Sequence, residues 1–181
     1  MIKNAVTTPP SAEPVSLADA KVHLRTVTGD TSEDSAVISP LLSAAREYCE
    51  NITGRALAAQ TVKAYPQGWE DNLRLPRPPV TTVTSIKYYD EDDTEYTLST
   101  DDYQVDTIDG TIQILEEPDE TLRLLNPIVI EYTCGYTSLP KTIRQAMLLF
   151  IADKYQNRGD ELTDKADQAI QRLLYQYRVW W

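Results

Sequence analysis

Two periods of hydrophobic positions alternate along the chain and divide it into three parts. Over residues 15–58 and again over 137–178, apolar residues recur every three or four positions, which is typical of amphipathic helices. Between them, residues 59–136 show a period of two, which is typical of β-strands with one buried face. The pattern predicts an α+β protein, with a β domain inserted into a helical bundle built from both ends of the chain.

The first helical part predicts two helices. The run PVSLADAKVHLRTV predicts the first helix, with Ser16 as the cap of its first turn and an apolar face that extends from Leu17 to Val27. A second, longer helix is predicted from about Glu33 to Thr53, where Gly54 ends it. Pro40 lies within this run. Because proline removes a backbone donor and clashes with the preceding turn, we expect a kinked or broken helix there.

The second helical part also predicts two helices, which makes about four in all. Pro140 stands at a favourable start for the helix predicted within LPKTIRQAMLLFIADKYQNRGD, which Gly159 ends. This helix is apolar over much of its surface and is therefore expected to be central. Thr163 is a candidate cap for the last helix, whose apolar side includes Ile170 and Leu174.

The middle of the chain predicts six or seven short antiparallel strands, which suit a β-sandwich or a small open barrel. The clearest local signal is Asp109-Gly110 between two β-branched runs. This dipeptide favours a two-residue hairpin turn of type I′.

The two ends of the chain show no such periodicity. Residues 1–14 are polar and contain prolines, so we expect a flexible N-terminal arm. Residues 179–181 form a short C-terminal tail that ends on two tryptophans.

The charge of the chain limits the kinds of partner it can bind. The net charge is −11 at pH 7 and no basic stripe is visible, whereas DNA-binding surfaces obtain most of their affinity from cations on phosphates. No apolar run approaches the roughly 20 residues that cross a bilayer. We therefore expect neither sequence-specific DNA binding nor a membrane span.

Residue types that carry chemistry are sparse. His23 is the single histidine, and no nucleophile or glycine-rich phosphate loop accompanies it in a recognisable motif. Cys49 and Cys134 lie in apolar surroundings and favour two buried thiols over a disulfide. We expect no catalytic residues, no metal site and no cofactor.

The aromatic residues give the best indication of a binding surface. The chain has 11 tyrosines, three tryptophans and one phenylalanine, and two of the tryptophans end it. Tyrosine and tryptophan suit contact surfaces with one wet edge. We expect the segment from Leu173 to Trp181 to dock on a partner and to be loose in the isolated subunit. The candidate partner-binding residues are Leu173, Leu174, Tyr177, Arg178, Trp180 and Trp181.

An ordered set of segments resembles a known family. These segments are PVSLADAKVHLR, LLSAAREYCENITGRAL, LRLPRPPVTTVTSIKYYDED, YTCGYTSLPKTIRQAMLLFIADKYQNR and RLLYQYR. Over roughly residues 14–178 the chain resembles the head–tail connector, or head-completion, proteins of tailed phages and prophages. Pro40 and the ending VWW depart from that pattern.

The resemblance implies a structural protein rather than an enzyme. It implies a ring, of twelve copies in the family, that is made in the bacterial host cytoplasm and is then located in the virion neck under the portal protein. The ring would extend the DNA channel without reading the DNA, and would offer a platform to the next neck or tail protein. A tail-completion or tail-terminator ring protein is the alternative, with an enzyme or a carbohydrate-binding module as more distant ones.

Overall fold

The computed structural model describes residues 2–26, 32–157 and 161–180. These form two compact units. The helical unit comprises residues 12–58 and 137–180, and the β unit comprises residues 2–11 and 59–136. The chain starts in the β unit with residues 2–11, enters the helical unit, returns to the β unit over residues 59–136 and ends in the helical unit. This confirms the predicted α+β fold of helices with antiparallel sheets, but the β unit also includes residues from the start of the chain.

Four α-helices lie within the described part of the helical unit, followed by a single 3₁₀ turn, Tyr175–Tyr177. Their bounds are α1, Leu17–Leu24; α2, Ser32–Thr53; α3, Lys141–Asn157; and α4, Asp164–Leu174. The residues with fully buried side chains lie mainly on α2, α3 and α4. They include Ile38, Ala45, Cys49, Ile143, Ala146, Met147, Ile151, Ile170 and Leu174. No helix among the described residues is long and apolar enough to cross a membrane.

The predicted helix caps are confirmed. The Ser16 hydroxyl accepts a hydrogen bond from the Asp19 amide at 3.1 Å, and the Thr163 hydroxyl accepts one from the Ala166 amide at 3.4 Å. Gly54 follows the last residue of α2 with φ of +69°, a left-handed conformation in which glycine is favoured.

Helix α2 runs through Pro40 without a break, so the alternative of two separate helices is wrong. Pro40 cannot donate to the carbonyl of Ala36 four residues earlier. Both residues are exposed to solvent, and water can therefore satisfy that carbonyl. The helix tolerates the proline because it lies on the wet face of α2.

The β unit contains two antiparallel sheets. The strands are β1, Lys3–Thr8; β2, Gln60–Tyr65; β3, Asn72–Arg74; β4, Val80–Tyr89; β5, Glu95–Thr97; β6, Tyr103–Asp106; β7, Thr111–Ile114; and β8, Ile128–Cys134. The larger sheet has the strand order β1-β2-β8-β4-β5 and the smaller has β3-β7-β6.

Strand β1 corrects the prediction of a flexible arm over residues 1–14. Lys3–Thr8 pairs antiparallel with β2, and the Thr7 hydroxyl donates to the Thr61 carbonyl at 3.2 Å. All six side chains of β1 are exposed, so the strand is held mainly by its backbone. Without a buried face, it has no hydrophobic period that could be read from the sequence.

The Asp109-Gly110 hairpin exists, but the predicted two-residue type I′ turn is wrong. Asp106 pairs with Thr111, which leaves a four-residue loop over residues 107–110. The Asp106 carboxylate accepts from the Ile108 amide at 2.8 Å, and the Asp106 carbonyl accepts from the Gly110 amide at 2.8 Å. Gly110 is left-handed with φ of +71°, whereas Asp109 is not among the positive-φ residues. The Asp106 side chain therefore fixes a longer loop than the dipeptide alone suggests.

Strand β8 lies at the centre of the larger sheet, and its side chains alternate between buried and half-buried. Tyr132 on this strand is fully buried, and its hydroxyl donates to the Pro76 carbonyl at 2.5 Å. Burial raises the pKa of this phenol well above its ordinary value.

We expect Tyr132→Phe to lower the free energy of unfolding by about 1–3 kcal/mol, because the Pro76 carbonyl would stay buried without its donor. Denaturant titration of the variant measures this. The matched control is Tyr175→Phe, since that ring is 64% exposed and its hydroxyl can bond to water. Equal stabilities of the two variants would contradict a structural role for the Tyr132 hydrogen bond.

Candidate functional site

The described residues offer little for catalysis or metal binding. They contain no group of three or more His, Cys, Asp or Glu side chains that could hold a metal ion. His23 is half-buried on α1, and Cys49 and Cys134 are buried thiols that form no disulfide. Burial, with a smaller contribution from Glu50, raises the pKa of Cys49 to about 12, so the thiol stays protonated and unreactive at neutral pH.

The end of the chain is anchored to the end of α2. The Val179 amide donates to the Thr53 carbonyl at 2.8 Å, and the Arg55 guanidinium donates through Nε to the Tyr177 carbonyl at 2.6 Å. These two bonds satisfy carbonyls near helix ends that would otherwise need water. The expectation of a loose tail in the isolated subunit is wrong for the residues up to Trp180.

Two aromatic rings remain exposed on this anchored segment. Tyr175 is 64% and Trp180 is 67% exposed, and the rings meet edge to face with centroids 6.3 Å apart. The Arg178 guanidinium lies 5.9 Å from the Trp180 ring centroid and donates to the Gln171 side chain. We call Tyr175, Arg178 and Trp180 the aromatic platform. It combines exposed apolar area, one cation and a backbone held in place.

The structure divides the residues predicted for partner binding. Trp180 is exposed, and Leu173, Tyr177 and Arg178 are partly buried. Leu174 is fully buried in the helical unit, which corrects its assignment to the contact surface, because its side chain belongs to the core. Trp181 lies outside the described residues.

Arg55 was not among the predicted site residues, and Tyr175 lies within the segment predicted to dock but was not singled out there. Tyr175 follows the buried Leu174 by one position, which rotates it about 100° around the helix axis and away from the core. That offset was readable in the sequence. The role of Arg55 was not, because it depends on a contact between residues 122 positions apart.

The charge of the protein is unevenly distributed between the units. The β unit carries six Lys and Arg residues against sixteen Asp and Glu residues, a net charge of −10. The helical unit, including its undescribed residues, carries eleven against twelve, a net charge of −1. The platform therefore belongs to a nearly neutral unit, and the acidic character of the chain belongs to the β unit.

Comparison with protein families identifies the chain. The model of the family described as "head completion protein" matches residues 18–166. The chain belongs to the head completion protein family. The sequence-based expectation of a head-completion, or head–tail connector, protein is confirmed at this level. The family match ends before the aromatic platform.

Solved structures share the fold of this head completion protein. A chain in the neck of an empty gene transfer agent (GTA) particle, computed with C6 symmetry, aligns with a TM-score of 0.80 and 24% identity over 99% of this chain and 96% of its own. A chain in the virion of a native GTA particle gives 0.76 and 24% over 98% and 96%. A chain in the neck of a native GTA particle, computed with C12 symmetry, gives 0.71 and 23% over 100% and 96%. No curated protein sequence gives a significant match.

Proposed function

We propose that the protein assembles as a closed ring of identical copies in the neck, under the portal protein, where it acts without catalysis. Rings of identical subunits are built from heterologous contacts whose rotation closes. The similar chains lie in particles whose necks were computed with C6 and C12 symmetry, which supports such a ring, and a twelve-membered one agrees with the higher symmetry.

The aromatic platform carries the proposal, as the surface that docks on the portal protein. Tyrosine, tryptophan and arginine are the residues that most often dominate binding energy at protein interfaces. Tyr175 and Trp180 present such side chains on an anchored backbone, so little conformational entropy is lost when they bind. The opposite face of the ring would receive the next neck or tail protein.

The charge distribution supports passage of DNA without binding. A β unit with a net charge of −10 repels phosphates, and sequence reading would require cations at base edges. The β unit would therefore not bind the DNA that passes through the channel.

We expect the double variant Tyr175→Ala/Trp180→Ala to bind purified portal at least about 30-fold more weakly, since a single truncated hot-spot residue already costs about 2 kcal/mol or more. Its melting temperature should change little, because both rings are largely exposed. Binding to immobilised portal and thermal melting measure the two effects.

The matched control is Ile108→Ala, which truncates an 85% exposed apolar residue on the β unit and should leave portal binding unchanged. A double variant that melts several degrees lower and still binds the portal would show that the platform serves the subunit core. That result would refute the proposed docking role.

A further inference from the structure

A pair of leucines projects into solvent from the β unit. Leu124 is 99% and Leu125 is 67% exposed, and both lie in the segment between β7 and β8. Single exposed leucines are common on protein surfaces, but two adjacent ones make a contiguous apolar area of the kind that marks a contact site. We call these two residues the leucine pair.

The backbone that carries the leucine pair is held on both sides. The Arg123 amide donates to the Tyr89 carbonyl at 3.2 Å, and the Tyr89 amide donates to the Pro127 carbonyl at 2.9 Å. The segment is thus tied to the end of β4 before and after the pair, which limits its freedom in the unbound subunit.

The side chain of Arg123 forms further contacts that hold the segment. Its Nη1 donates to the Asp93 carboxylate at 3.0 Å and its Nη2 donates to the Asn126 carbonyl at 3.0 Å. Its guanidinium lies 3.9 Å from the centroid of the Tyr89 ring. A fixed loop that presents two leucines to water is preorganised for an apolar contact.

The surroundings of the leucine pair are acidic. Glu91 and Asp93 line the same open depression as the two leucines, with a volume of about 730 Å³. The adjoining turn, Asp90–Asp93, consists of four carboxylates, and Arg123 is the cation that pairs with it. A partner surface would therefore be apolar with a basic edge.

The chain itself carries a surface with that chemistry on α1. Ala18 and Val22 are exposed and lie four positions apart, so they share one face of the helix, and the exposed Arg25 follows its last turn as the left-handed C-cap residue. Val22 is 70% exposed. Lys21 adds a second cation, while the carboxylate of Asp19 is paired with Arg144 at 2.9 Å. The α1 face is thus apolar at its centre and basic at its C-terminal end.

We propose that the leucine pair of one copy packs on the α1 face of a second copy, as one of the contacts that repeat around the ring. The inference rests on the proposed ring and assigns two of its surfaces. The leucine pair and the α1 face are different surfaces, and a contact between them is heterologous, which is the type that generates a ring. Two β units of charge −10 would repel each other, which favours the nearly neutral helical unit as the partner.

Disulfide trapping tests the contact even when the free subunits associate weakly. Full-length Val22→Cys and Leu124→Cys proteins are mixed and oxidised by dioxygen with copper phenanthroline. We expect the mixed disulfide dimer to form at least about tenfold faster than in a mixture of Val22→Cys with the control Ile108→Cys, which is also exposed on the β unit. The native thiols, Cys49 and Cys134, are buried and should not contribute. The difference in trapping rate between the two mixtures should become smaller at high salt, because salt screens the charges.

Equal trapping rates in the two mixtures would overturn the proposal, as would a Leu124→Asp protein that forms rings on the portal as readily as wild type. Rings lost in Leu124→Asp without faster trapping at Val22 would show that the pair contacts another protein or another face, and would overturn it too. Electron microscopy of the wild-type protein on the portal distinguishes a failure of the proposed ring from a failure of the proposed contact. An absence of rings there contradicts the proposed function, whereas rings in both proteins contradict this contact alone.

Discussion

Replacing Glu50 with alanine should lower the free energy of unfolding by about 3–5 kcal/mol, the usual cost of removing one partner of a buried charge pair. At about 2–4 °C per kcal/mol for a chain of this size, the melting temperature should fall by roughly 6–20 °C. Thermal and denaturant unfolding of the variant measure both quantities.

The size of the effect follows from two buried partners that Glu50 contacts, Leu57 and Arg46. One carboxylate oxygen accepts from the Leu57 amide at 2.8 Å, and the other accepts from the Arg46 guanidinium at 3.2 Å. Leu57 is fully buried, and Arg46 and Glu50 are 8% and 5% exposed. Alanine would leave a buried amide without this acceptor and a buried cation with fewer counter-charges.

Glu13 completes the cluster from outside the helices. Its carboxylate accepts from Arg46 Nε at 2.9 Å and from the Ser43 hydroxyl at 2.8 Å. Burial opposes the charge on Arg46, but the carboxylates, Glu13 foremost, outweigh it and raise the pKa of the guanidinium. The cluster ties the segment before α1 to the middle of α2.

Glu47→Ala is the matched control, because this glutamate also faces Arg46 but its side chain is 66% exposed and its nitrogen–oxygen distance is 3.6 Å. A loss of at most about 1 kcal/mol is expected there. Glu50→Gln should fall between the two, since an amide oxygen can still accept from Leu57. Similar losses in Glu47→Ala and Glu50→Ala would show that burial does not set the strength of this cluster.

The sequence predicted the elements whose signal is local. Ser16, Thr163 and Gly54 mark helix ends through hydrogen bonds and dihedral angles within a few residues, and all three predictions were right. Strand β2 lies within the part of the chain where a period of two predicted strands, and its buried and half-buried positions alternate over Gln60–Tyr65. Periodicity and capping depend on residues that are close together in the sequence, so they can be recognised from the sequence alone.

The misses involve partners that are distant in the sequence or side chains with no buried face. Strand β1 is exposed throughout and pairs with residues more than 50 positions away. The C-terminal segment is fixed by Thr53 and Arg55, and nothing in its own composition indicates that attachment. Of the candidate contact surface, the sequence could supply the aromatic character of the end of the chain but not which rings stay exposed.

Gly110→Val should lower the free energy of unfolding by about 2–4 kcal/mol, for two independent reasons. Gly110 has φ of +71°, a conformation that a β-branched residue adopts only with strain. A Cβ atom at this position would also lie 3.1 Å from Val80 Cγ2 and 3.6 Å from Pro78 Cβ. The first of these distances is shorter than an ordinary van der Waals contact.

The loop around Gly110 cannot relax easily, because its backbone is bonded in both directions. Its amide donates to Asp106, and its carbonyl accepts from the amide of Leu75, which is fully buried, at 2.8 Å. Moving Gly110 to relieve the clash would therefore disturb the start of the β6–β7 loop and the segment after β3 together. Gly68→Val is the matched control, since a Cβ there meets nothing within 4 Å and φ is not positive, so a change within about 0.5 kcal/mol is expected. Equal stability of the two variants in denaturant titrations would mean that Gly110 is neither strained nor crowded, and the four-residue loop assigned to this hairpin would have to be abandoned.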